Sequence, residues 1–239
     1  MLILSLGVPR SGTILVFNIL REILTRQQVE FRSVNTNYPE TEAFLSQHDY
    51  KDNVLMHAHN VLPEVQKALQ RRDVIAFFNF RDPRDMVISM MKLHDYPFEK
   101  CMELADISFA HYRIARKFPR LMFIPYDLLV EAPGAYVFHI AQRLGIFLPL
   151  NVVAAIEKAT SLDAHKKVMR DVAAAKVDVQ IRKNPRRTLK ESTTHFINDR
   201  HIQSGRSGRW RRELSPDQRK QSTEHFKDLL LELGYTLEH

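Results

Sequence analysis

The chain has 239 residues, 44% of them hydrophobic and 26% charged, which suits one generously sized folded domain and excludes a disordered tail or a coiled coil. No apolar run exceeds five residues, Val74–Phe78 and Val152–Ile156 being the longest, so no segment reads as a helix that spans a bilayer. The formal charge of +7 is uneven: residues 181–212 hold ten Lys or Arg against Glu191 and Asp199, a local balance of +8 that leaves the rest at −1. Such an excess suits a polyanionic partner, whether nucleic acid, acidic lipid or a multiply phosphorylated small molecule.

In chain order, Leu2–Leu6 reads as a short apolar strand ending at Gly7. Ile14–Thr25 follows with the apolar spacing of a helix face. Val54–His59 is a second strand, with a helix over Leu62–Leu69. Asp73–Phe80 is the clearest strand, too apolar for an exposed edge and so buried on both faces. Asp82 then offers an N-cap, Pro83 a first helical position and Asp85 a favourable charge at a helix N-terminus. Leu121–Tyr126 is another strand, leading to a helix over Tyr136–Leu144. Further helices are expected over Asp163–Ala175 and Pro216–Leu233, with Ile181–Arg212 between them as a long ordered loop or lid. Alternating strands and helices with buried strands argue for an α/β fold, a parallel sheet flanked by helices. Residues 1–236 read as a single domain, and Leu237-Glu238-His239 as the stub of an affinity tag. The N-terminus lacks the pattern of a signal peptide, and a lone Cys101 suits a reducing compartment, so a cytoplasmic protein is expected.

Gly7-Val-Pro-Arg-Ser-Gly-Thr13 lies at the first strand–helix junction, where backbone N–H groups and the helix dipole converge on one spot and favour phosphate. The Gly7–Gly12 spacing matches the frame of a nucleotide-binding P-loop, but Thr13 directly follows Gly12 where that loop has Lys. Transfer of a γ-phosphate is therefore poorly supported. Arg10 supplies a basic side chain inside the loop instead.

With its flanking strand and helix, Pro9–Thr13 is similar to the first signature of the sulfotransferases that use 3′-phosphoadenosine 5′-phosphosulfate (PAPS). Arg81-Asp-Pro-Arg-Asp85 with Ser89 resembles the second, and Gly205-Arg-Ser-Gly-Arg-Trp210 the third. The resemblance covers most of the chain and implies a P-loop-like sulfotransferase fold with PAPS as co-substrate and no metal. It implies that Pro9, Arg10, Ser11, Gly12, Thr13 and Ile14 receive the 5′-phosphosulfate. By the same resemblance Arg81 and Ser89 hold the 3′-phosphate, with Gly205 and Arg206 closing over it, while Tyr126 and Thr160 lie at the nucleotide. Trp210 is expected mainly to anchor the lid.

Sulfuryl transfer to a hydroxyl needs a base and a cation near the leaving oxygen. His57 and His59 stand at i and i+2 on one strand. By resemblance His59 is the general base, His57 occupies a position where many members have Lys, and Arg10 stabilises the leaving phosphate. Leu15 and Leu162 stand where the family often has aromatic residues, which implies an adenine held between aliphatic groups. Gln203-Ser204 replaces an Arg-Lys pair, leaving Arg206, Arg200 or His201 to supply the charge. A dimerisation segment of the family is not recognisable, so oligomeric state stays open.

The expected partner is a small hydroxyl acceptor, with neither nucleic acid nor membrane. The variable segments Ser33–Tyr50 and Lys92–Asp106, with Phe44, Tyr96, Phe98 and Met102, suggest a partly apolar one. Two other readings stand beside this: a P-loop phosphotransferase, and a non-enzymatic nucleic-acid binder using the 181–212 patch, whose affinity would fall steeply with salt.

Overall fold

The computed structural model describes residues 1–36, 39–49, 51–184, 187–198 and 204–238, with backbone alone for 182–184 and 187–188. Five parallel strands, β1 (Leu2–Gly7), β2 (Arg32–Asn35), β3 (Val54–Ala58), β4 (Val74–Phe80) and β5 (Met122–Pro125), form one sheet in the order β2-β3-β1-β4-β5. The strands that read as most apolar, β1 and β4, lie inside it. The two edges are the more polar β2 and the short β5.

Side chains alternate across the sheet, as the pleat requires. Leu2, Leu4, Leu6, Met56, Ala76 and Phe78 face one core, completed from α3 (Pro63–Gln70), α4 (Pro83–His94) and α5 (Phe98–Ala115). Ile3, Leu55, Phe77 and Ile124 face the other, filled from α1 (Thr13–Arg26), α7 (Pro133–Arg143) and α8 (Leu150–Ala159). Helices thus cover both faces of a parallel sheet, the fold class expected. Asp82 caps α4 by accepting the Arg84 backbone N–H at 2.9 Å, and Pro83 occupies the first turn, where its missing N–H costs nothing.

The remaining helices are α2 (Glu40–Gln47), α6 (Tyr126–Glu131), α9 (Leu162–Ala173), α10 (Trp210–Glu213), α11 (Pro216–His225) and α12 (Lys227–Leu233). The expected single helix over 216–233 divides at Phe226, which turns into the core. The reading of 181–212 as one long loop needs a larger correction. Its first part belongs to an antiparallel ribbon of β6 (Val179–Asn184) and β7 (Arg187–Ser192), with Gln180 opposite Glu191. Strand β2, α2, α5 and α8 also went unread, and α5 occupies most of the segment taken for an acceptor loop.

The C-terminal residues are tied in. Arg84 donates to the Thr236 and Glu238 carbonyls at 3.0 and 3.2 Å, and Leu237 packs against the core. No described helix is long and apolar enough to cross a membrane.

Candidate functional site

The register of β1 with β3 and β4 sets Ser5 opposite His57 and Gly7 opposite Asn79. The C-terminal ends of three strands therefore open together on one cleft of about 1010 Å³, the usual place for a ligand in a parallel sheet. Close approach builds its floor. A Cβ on Gly7 would stand 2.5 Å from the Asn79 carbonyl oxygen, so only glycine lets the loop leave the sheet here. Ser11 turns inward, its Oγ within 2.6 Å of the Val8 carbonyl and 3.1 Å of the Asn79 carbonyl. It braces the loop and, being fully buried, does not itself line the cleft. Pro9, Arg10, Gly12, Thr13 and Ile14 all line the cleft. Gly12 has φ +81°, and a Cβ there would meet the Tyr126 ring at 2.7 Å.

Arg10, at φ +68°, joins the first motif to the second. Its Nε–H donates to Ser89 Oγ at 2.9 Å, and its carbonyl accepts from Arg81 Nη1 at 3.0 Å. Burial, followed by the charges of Arg81 and Arg209, pushes the Arg10 guanidinium down to about 10, so it stays charged at neutral pH. Arg81 lies 4.3 Å from the centre of the Tyr126 ring, and burial raises that phenol. Arg81 Nε is buried with no hydrogen-bond partner among the described residues. Three guanidiniums converging on one cleft make a place that an anion relieves.

The lid residues reach the same place. Asp85 pairs with Arg81 at 3.0 Å and accepts the backbone N–H groups of Gly208 and Trp210 at 2.7 and 3.0 Å. The Arg81–Asp85 ion pair is buried, and its carboxylate is shared with the Gly208–Trp210 backbone. Trp210 is fully buried in the core, with Arg84 3.7 Å from its ring centre. Gly205 lies against Leu162, where a Cβ would come within 2.9 Å of that side chain. Arg206 is exposed at the cleft mouth, and its carbonyl lies 3.4 Å from Arg81 Nη2. Arg200, His201 and Gln203 lie outside the described residues.

Thr160 caps α8 and lines the cleft, its hydroxyl donating to the Ile156 carbonyl at 2.9 Å. Leu15 and Leu162 also line the cleft. His165, one helical turn beyond Leu162, also borders it; burial, then His195 and Arg21, push its imidazole down to about 4.

His57 and His59 both border the cleft, their rings 4.8 Å apart and almost perpendicular. His59 Nδ1 lies 2.9 Å from the Gly7 carbonyl oxygen. A carbonyl only accepts, so Nδ1 carries the proton and Nε2 of the neutral ring carries the lone pair. Among the described residues no group of three or more His, Cys, Asp or Glu is arranged to hold a metal ion.

The expected acceptor aromatics do not form the cleft. Phe98 and Met102 are core residues on α5, and Phe44 and Tyr96 pack against that core. The cleft lining instead includes Asn35, Glu40, His94, Gln180, Glu191 and Asn198, together with Leu93, Leu189 and Phe196. The inference of a partly apolar acceptor from those four residues therefore falls. Asn35, Glu191, His165 and Arg209 were missed as site residues. The Leu189–Glu191 alternation in β7 was a signal for the ribbon, and Arg209 stands inside the Gly205–Trp210 motif; Asn35 and His165 sit in no motif.

A family model described as sulfotransferase domain matches residues 2–234. No curated protein sequence matches the chain. Among solved structures, mouse sulfotransferase SULT7A1 complexed with PAP is similar, with a TM-score of 0.69 and 15% identity over 96% of this chain and 83% of that one. Retinol dehydratase, in complex with androsterone and inactive cofactor PAP, superposes with a TM-score of 0.65 and 15% identity over 95% of this chain and 80% of its own. The same enzyme with retinol and PAP gives the same values.

Proposed function

The chain belongs to the sulfotransferase domain family, and we propose that it moves a sulfuryl group from PAPS to the hydroxyl of a small acceptor, with His59 as base and Arg10 beside the leaving phosphate. One observation carries the reading: Arg10, bonded to Ser89 at 2.9 Å, and His59, with its Nδ1 held by Gly7, line one cleft. When bound, PAPS supplies the sulfuryl group on its 5′-phosphate. The residues present fit it. Arg10, Arg81 and Arg209 gather charge for two phosphate groups, and Gly12, having no side chain, lets the loop backbone lie against the Tyr126 ring.

His59 Nε2 takes the proton of the acceptor hydroxyl, and the Gly7 carbonyl steadies the imidazolium that forms. Arg10 offsets negative charge on the departing oxygen but gives up no proton at neutral pH. Arg81 and Ser89 receive the 3′-phosphate, with Gly205 and Arg206 across the cleft, while Thr160 and Tyr126 border the nucleoside. Residues 1–236 act as one domain in this reading. The acceptor is a small hydroxyl compound, in keeping with relatives crystallised with retinol and androsterone.

The test is His59→Ala. Turnover with labelled PAPS should fall by about 10²–10⁴ while 3′-phosphoadenosine 5′-phosphate binds nearly as in the parent. Equal loss of turnover and binding would remove His59 from the role of base.

A further inference from the structure

Glu191 stands 156 residues from Asn35 in sequence, yet its Oε2 accepts the Asn35 Nδ2–H at 3.2 Å. The same oxygen accepts from Gln180 at 2.8 Å, across the ribbon. Glu191 and His57 are each 3% exposed, so both the carboxylate and the imidazole are well shielded from water. Asn35 lies opposite His57 in the β2–β3 register, and its Oδ1 is 2.9 Å from His57 Nδ1.

The chemistry of the groups orients this chain of contacts. A carboxylate only accepts, so Glu191 holds the amino end of the Asn35 amide toward itself. The Asn35 oxygen is thereby turned to His57, and because that oxygen also only accepts, the His57 proton is fixed on Nδ1. The ring so held stands at 87° to His59, and Phe17 meets it at 86° with centroids 6.4 Å apart.

We propose that Glu191 is a positioning residue for the histidine pair, acting through the Asn35 amide to fix the tautomer and ring plane of His57, against which His59 is set. A residue of the ribbon thereby reaches the strand that leads into the base, so the seating of β7 and the alignment of the two imidazoles are one event. The catalytic consequence rests on the proposed role of His59; the tautomer of His57 does not.

Nitrogen NMR of 15N-histidine-labelled protein, with the His57 signals assigned by comparison with His57→Gln, reads the tautomer directly. The wild type should show His57 protonated at Nδ1 and bare at Nε2. In Glu191→Ala and in Asn35→Leu the Nε2–H form should appear at comparable population, while Glu191→Gln, whose side-chain oxygen still accepts, should keep the wild-type pattern. Asn35→Leu leaves the Gln180–Glu191 bond of the ribbon in place, so it separates alignment from ribbon seating. With labelled PAPS and a panel of phenol, sterol and sugar alcohols, kcat should fall about tenfold in the first two variants and stay within about threefold in Glu191→Gln, with KM for PAPS little changed. An Nε2–H tautomer in the wild type, an unchanged tautomer in both variants, or kcat and KM for PAPS worsening together would overturn the proposal. A wild type that fails to bind 3′-phosphoadenosine 5′-phosphate would instead defeat the sulfuryl-transfer reading, and the nitrogen spectra would still decide this one.

Discussion

Asp85 accepts the backbone N–H of Trp210 at 3.0 Å on one carboxylate oxygen, while the other takes Gly208 N–H at 2.7 Å and the Arg81 guanidinium at 3.0 Å. A residue in the first turn of α4 thus holds the lid by its backbone and an expected phosphate ligand by its side chain. The second and third motifs, more than 100 residues apart in sequence, are parts of one buried junction.

Removing that carboxylate leaves Arg81 buried without its counter-charge and leaves two lid amides without an acceptor. Asp85→Ala should cost about 3 kcal/mol of stability. Chemical denaturation measures it, and affinity for 3′-phosphoadenosine 5′-phosphate should fall alongside. A variant of parental stability would mean the junction contributes little.

Arg10 lies where charge develops on the leaving phosphate in the proposed reaction. Arg10→Ala should lower kcat by roughly 10²–10³. Arg10→Lys, which keeps a cation but not the planar fork that meets Ser89, should fall between the two. Steady-state kinetics with PAPS tests the order; an alanine variant as active as the parent would take Arg10 out of the mechanism.

His165 and His195 give the fold a defined acid sensitivity. Both are pushed down to about 4 from an ordinary 6.5, His165 by burial and then by His195 and Arg21, His195 by burial and then by Arg21. Arg21 Nη2, always a donor, lies 3.0 Å from His195 Nε2, which must accept and so keeps that ring neutral. Above pH 6.5 both histidines are neutral folded or unfolded, and their contribution is intact. As the pH falls toward 4 the unfolded chain takes up protons that the folded one refuses, and stability is lost. For His165 the gap amounts to ~3 kcal/mol at most. The urea midpoint should fall between pH 7 and pH 5, and fall less in His165→Phe; an identical fall in both would rule His165 out as its source.

Much of this site was legible because its chemistry is local. Gly7, Arg10 and Gly12 mark a strand–turn–helix junction, and Asp82 with Pro83 opens α4 as capping rules require. Interior strands betray themselves by continuous apolar runs, as Val74–Phe78 does. Strand β2 (Arg32-Ser-Val-Asn35) is a half-exposed edge with no such run, and in the ribbon the density of Arg and Lys conceals a short alternation. Phe98 and Met102 looked like acceptor contacts because nothing local separates a core face from a pocket wall. The Glu191–Asn35–His57 chain was invisible for a plainer reason: it joins two edges of structure that meet only when the ribbon packs beside the sheet.

The central claim is a nucleotide site that grips two phosphate positions and serves His59. Calorimetric titration with 3′-phosphoadenosine 5′-phosphate, with AMP as control and no magnesium present, tests it most directly. The account predicts tight binding that depends on the 3′-phosphate and weakens sharply in Arg81→Ala. Equal binding of AMP, or no binding at all, would contradict it.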